Sequence, residues 1–157
     1  MKFISFAFAF LTVLLAMVTA SMVPWPLFWD QSDSLPGKLI LASKLKSKAG
    51  LCGKEVLIKL NQNSAYYQHV VLRKKLMGCP GDRITHQGQA VFINNVFAGL
   101  AKYKTSLGKP LNPTESQTIP VDYYYAWAPH SDSYDSRYRE LGLIQSTQVI
   151  AYASTLF

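Results

Sequence analysis

From residue 3 to residue 29 the chain carries no charged side chain, and beyond residue 29 apolar positions come only in short runs. The first stretch is long enough to cross a bilayer, since about 20 apolar residues span a hydrocarbon core of roughly 30 Å. Lys2 is the only charge ahead of it, which favours an inward N-terminus. Pro24 and Pro26 would end a helix there, and Trp25, Phe28 and Trp29 supply interfacial aromatics. Two readings stay open: a retained anchor, or a signal peptide cleaved near Val18-Thr19-Ala20-Ser21. Both export the remainder, so the chain divides into a segment 1–29 and an exported domain 30–157.

After residue 30 helical periodicity is weak and strand signals dominate. Residues 55–60 (EVLIKL), 69–77 (HVVLRKKLM), 82–86, 90–97 (AVFINNVF), 123–128 (YYYAWA) and 148–156 (QVIAYASTL) are the predicted strands. Asn94-Asn95 interrupts its run as a turn, and Gly78-Cys79-Pro80-Gly81-Asp82 and Gly88 are further turns. Residues 102–120 are polar, contain Pro110, Pro113 and Pro120, and form a long surface loop or small insertion. The expected fold is mostly β, with little helix, behind one N-terminal membrane segment.

Composition narrows the picture. The whole chain of 157 residues is one domain's worth, with a formal charge of +7. Its lysines are scattered or in short runs, such as Lys44, Lys46 and Lys48, with no recognition-helix pattern. That favours a solvated basic face over a nucleic-acid partner, with attraction to an anionic membrane surface as the next reading. Cys52 and Cys79 are the two cysteines; export permits one disulfide between them, and the alternative is two unpaired small apolar residues. No CxxC occurs, and His69, His86 and His130 are far apart in sequence, so no metal site is expected.

Three segments could carry chemistry. They are Ser32-Asp33-Ser34-Leu35-Pro36-Gly37, Arg73-Lys74-Lys75-Leu76-Met77-Gly78-Cys79-Pro80-Gly81-Asp82, and Ser133-Tyr134-Asp135-Ser136-Arg137-Tyr138. Singly they read as a turn, a solvated cationic strand and a polar loop. In this order behind a membrane segment, the set resembles the type I signal peptidase family of serine peptidases, and within it the TraF-type peptidases of conjugative transfer systems. The likeness rests on Ser34-Leu35-Pro36, on Lys74 followed by Gly78-x-Pro80-Gly81-Asp82, and on Ser133-x-Asp135-Ser136-Arg137. Lys75 stands where the family usually has Arg, and Ala128-Pro129-His130 replaces a Gly-Asp-Asn.

The resemblance implies a mostly β catalytic core, no cofactor, Ser34 as nucleophile and Lys74 as general base. Asp135 would orient the base region, Ser133 would help hold the lysine, and Ser32 would aid the oxyanion hole. Pro36, Gly78, Pro80, Gly81, Asp82, Ser136 and Arg137 would be structural. It implies an exported, pilin-like precursor as partner and a bacterial inner-membrane location with the catalytic domain in the periplasm. Either water or the substrate's own amine would resolve the acyl-enzyme. A non-catalytic pilus-assembly or envelope binding protein on the same fold is the alternative.

Elementary chemistry is consistent with these roles. A serine hydroxyl needs an adjacent base, and no histidine lies in these segments. A lysine serves only when neutral, which requires its pKa to fall from about 10.4. Val70, Val71, Leu72, Leu76 and Met77 are expected to bury it, with like-charge repulsion from Arg73 and Lys75 acting in the same direction.

Overall fold

The computed structural model describes residue 12 and residues 27–48, 50–60, 66, 67 and 70–156. The charge-free segment 3–29 thus lies outside the described residues except for Thr12 and Leu27–Trp29. Those last three residues are strand β1 (Leu27–Trp29), paired antiparallel with β2 (Leu39–Ser43) in the register Leu27↔Leu41 to Trp29↔Leu39. Among the described residues no helix is long and apolar enough to cross a membrane.

The other strands are β3 (Glu55–Lys59), β4 (Val71–Gly78), β5 (Arg83–Gln87), β6 (Ala90–Ile93), β7 (Val96–Leu100), β8 (Gln117–Thr118), β9 (Tyr123–Trp127), β10 (Ile144–Gln145) and β11 (Val149–Thr155). A single 3-10 turn, Ser146–Gln148, joins β10 to β11. The strands form a seven-stranded sheet in the order β1-β2-β11-β3-β4-β9-β10 and a four-stranded sheet in the order β7-β6-β5-β8. The fold is mostly β, as the alternation of short apolar runs requires.

Local chemistry explains several of these elements. Asn94 and Asn95 both take positive φ, 48° and 66°, and so make the tight turn whose twist matches the β6–β7 hairpin. Val56, Leu57 and Ile58 of β3 are all buried, because the strand is covered on both faces. Val56 and Ile58 join Leu51, Leu76, Ala126 and Ile144 in one core, while Leu57 packs with Ile40, Ala42, Ala151 and Ala153 on the other side. A further core lies under the small sheet around Ile84, Val91, Ile119 and Tyr138. Strand β9 feeds two cores by alternation: Tyr124 and Ala126 point to the first, Tyr125 to the one under the small sheet.

Residues 102–120 are more tightly built than a surface loop. They contain β8, a bridge between Lys104 and Pro110, a bridge from Pro113 to Tyr138, and the buried Leu111, Thr114 and Ile119. Gly78 ends β4 where a Cβ would meet Ile119 Cδ1 at 2.7 Å and Tyr125 Cβ at 2.8 Å, so no larger residue fits. Asp82 belongs to the following turn, not to a strand: its carboxylate accepts from Cys79 N at 2.8 Å and from Asn94 Nδ2 at 2.7 Å. Cys52 and Cys79 are joined by a disulfide with a Cα–Cα distance of 5.7 Å. It ties the loop before β3 to the end of β4.

Candidate active site

Strand β4 is the spine of the site. Its side chains alternate, so Lys74 shares a face with Leu72 and Leu76, which pack into the first core. Val56 is its cross-strand partner on β3. Lys74 is 2% exposed, and its Nζ lies 3.0 Å from Ser34 Oγ and 2.6 Å from Ser133 Oγ. The two serine oxygens are 3.5 Å apart. Three residues far apart in sequence thus converge on one amine.

Burial lowers the Lys74 pKa from 10.5 to about 8, because the charged form loses its hydration. The Asp135 and Asp30 carboxylates act in the opposite direction, and the Arg137 guanidinium assists the lowering. The expected repulsion from Arg73 and Lys75 is not what shifts it. Lys75 points to solvent. Arg73 leaves the opposite face of β4 and is neutralised by Asp30 at 3.1 Å and Glu55 at 3.0 Å.

Asp135 is fully buried, and its contacts run to Arg137 rather than to Lys74. Arg137 Nε and Nη2 donate to its two oxygens, each at 2.8 Å, and Ala128 N donates at 3.2 Å. The same guanidinium donates to the carbonyls of His130 at 2.9 Å and Ser133 at 3.4 Å. The Asp135–Arg137 pair therefore fixes the bend that presents Ser133. Ser136 Oγ donates to Gly142 O at 2.6 Å and accepts from Ala126 N at 3.0 Å, pinning the bend to β9. Gly99 completes the arrangement: with φ 138°, its missing Cβ leaves room for Arg137, whose Nη1 would otherwise lie 2.7 Å away. A glycine inside a strand was the sequence signal for this close approach.

Ser32 lies in the same loop as Ser34, but its amide and hydroxyl both donate to Asp30 Oδ1, at 2.9 and 2.7 Å. Burial works to raise the Asp30 pKa; hydrogen bonds from Ser32 and Arg73 outweigh it and hold the carboxyl below its ordinary value. Pro36 gives its carbonyl to Arg73 Nη2 at 2.8 Å. Pro80 and Gly81 form the turn after β4, where Gly81 has φ 92° and donates its amide to Ile119 O. Asp30 stands outside the three segments and gave no sequence signal, and Arg73, expected only to repel Lys74, is instead a hydrogen-bonding centre for the serine loop.

A groove of about 480 Å³ runs alongside Ser34 and Lys74. Phe28, Leu57, Val71 and Ile150 give it apolar walls, and Asp30, Gln31, Ser32 and Arg73 add polar groups to its lining. The arrangement can accept a peptide beside a hydroxyl whose proton has an adjacent amine to go to.

Comparison with known proteins gives one family. The family model described as "Signal peptidase, peptidase S26" matches residues 1–157. No curated protein matches. Among solved structures, the crystal structure of a signal peptidase I from Enterococcus faecalis V583 is similar, at 20% identity and a TM-score of 0.41, covering 66% of this chain and 95% of that one.

Proposed function

The chain belongs to the signal peptidase S26 family, serine peptidases that process exported precursor proteins, and from that premise we propose that Ser34 is its nucleophile and Lys74 its general base. The observation that carries this reading is the buried Lys74 amine, 3.0 Å from Ser34 Oγ, with its pKa lowered to about 8. A neutral Lys74 takes the Ser34 proton as the oxygen attacks the scissile carbonyl carbon. It then returns that proton to the leaving amine, and an ester to Ser34 remains. Water or a substrate amine attacks the ester carbon next, with Lys74 accepting its proton; the bond from that carbon to Ser34 Oγ breaks, and Lys74 returns the proton to Ser34 as the product leaves.

Ser133 holds the lysine, and Asp135 acts at one remove, through Arg137 and the bend carrying Ser133. The Ser34 amide is the first donor to the oxyanion. The Ser32 hydroxyl joins it only by turning away from Asp30. An extended substrate lies along the groove, pairing its main chain with the strands beside it. We further propose that the segment 1–29 anchors the enzyme in the bacterial inner membrane with the catalytic domain in the periplasm, and that the substrate is the pilin of a conjugative transfer system.

Ser34→Ala and Lys74→Ala should each abolish processing in a folded protein, and Lys74→Arg should not restore it, since a guanidinium stays protonated. The mass of the pilin from cells with and without the protein separates no processing, cleavage with water added, and cyclisation without it. Robust processing by a folded Ser34→Ala variant would falsify the mechanism and favour a non-catalytic binding role.

A further inference from the structure

Resting on the Ser34–Lys74 reading above, we propose that Arg73 is a positioning residue that sets the nucleophile loop against its base. Its side chain is 3% exposed and makes five hydrogen bonds. Nη1 donates to Gly37 O at 2.9 Å and Asp30 Oδ2 at 3.1 Å. Nη2, with two N–H groups and so one of them shared, reaches Pro36 O at 2.8 Å, Glu55 Oε2 at 3.0 Å and Thr155 Oγ1 at 2.6 Å.

Three of the five acceptors belong to the loop that carries Ser34. Pro36 and Gly37 follow the serine; Asp30 precedes it and passes the hold on to Ser32 through its other oxygen. Glu55 on β3 and Thr155 on β11 lie outside the loop and fix the direction of the fork. Both ends of the loop thus hang on one guanidinium, closed at the base by Asp30 N donating to Lys38 O at 2.7 Å.

The partner of this arrangement is the next residue along. Lys74 leaves one face of β4 and Arg73 the other; β3 pairs with both residues, through Val56 and Leu57, and β9 holds β4 from Lys75 onward. One rigid strand therefore carries the base and the clamp as consecutive residues. The Ser34-to-Lys74 distance is referenced to a single peptide unit despite 40 residues of separation. Proton transfer needs that distance held to a fraction of an ångström. A lysine in place of Arg73 has three donors on one point and cannot span five acceptors.

The test needs no substrate. In a Ser34→Cys background the introduced thiol is the only free one, because Cys52 and Cys79 are bonded to each other. Its alkylation by iodoacetamide is followed against pH on the full chain in detergent without reductant, with near-ultraviolet circular dichroism checking the fold. A nearby Lys74 ammonium favours the thiolate, so adding Lys74→Ala should slow alkylation at pH 7 by about tenfold. Adding Arg73→Lys instead should slow it nearly as much, although Lys74 is still present. Thr155→Val, which removes one acceptor and leaves the guanidinium, should slow it part of the way and serves as the test if Arg73→Lys does not fold. Folded Arg73→Lys and Thr155→Val variants that react at the Ser34→Cys rate, while Lys74→Ala slows, overturn the proposal. If Lys74→Ala itself changes nothing, Ser34 and Lys74 are not coupled, and the dyad reading falls together with the clamp.

Discussion

Ser133 Oγ lies 2.6 Å from Lys74 Nζ, nearer than the Ser34 oxygen at 3.0 Å. A neutral amine has two N–H groups and one lone pair. When Ser133 accepts one N–H, rotation about the last bond of the lysine stops, and the lone pair can face Ser34. With Lys74 as the proposed base, Ser133→Ala should lower kcat by about tenfold to a hundredfold with KM little changed, because only the orientation of that amine is lost. Steady-state kinetics checks this split; a KM effect with kcat intact would place Ser133 in substrate binding instead.

Activity should depend on pH through Lys74. On the proposed mechanism the neutral amine is the working form, and burial brings its pKa from 10.5 down to about 8. The rate should therefore rise about tenfold per pH unit below about 8 and level off above it. A pH–rate profile flat between 6 and 9 would contradict a lysine base.

The same burial has a consequence for stability with a definite sign. Between about 8 and 10.5 the unfolded chain holds a proton on this lysine that the folded chain has released, so stability rises with pH across that window. Below about 8 both states are charged, and the fold bears the full cost of burying an ammonium, on the order of 3 kcal/mol. Lys74→Met should thus raise the melting temperature at pH 6–7 while abolishing activity, and the gain should shrink towards pH 10. Calorimetry at several pH values measures it.

Asp135→Asn should separate stability from proton transfer. It breaks a buried, two-pronged pair with Arg137, which costs about 3–5 kcal/mol. It also removes a carboxylate that raises the Lys74 pKa and leaves the opposing Arg137 charge unbalanced. The midpoint of the pH–rate profile should move down while chemical denaturation shows a weaker fold. An upward movement of the midpoint would be inconsistent with these electrostatics.

Much of the fold was legible because strands announce themselves locally. The run EVLIK, the Asn94-Asn95 turn and the apolar alternation of 149–155 each depend on neighbours within a few residues. Strands β1, β8 and β10 were not seen, since two or three residues carry no readable period. Strand β2, LILAS, is five residues just after the Pro-Gly turn at 36–37, and its continuous apolar run shows no alternation to mark a strand.

For the site, the sequence by itself determined which residue types stand in which order: Ser34, Lys74 and Ser133, each beside its own turn chemistry, with Cys79 inside the middle segment and Cys52 ahead of it. Only the tertiary structure decided the environment of each. Arg73, Lys74 and Lys75 are three adjacent cations of similar appearance, yet one is clamped between carboxylates, one is buried beside two hydroxyls, and one faces water. The reason is geometric. The period of a strand sends neighbours to opposite faces, and what covers each face comes from residues 30–37 and 128–137, which only folding brings to β4. Charge, burial and pKa belong to that covering.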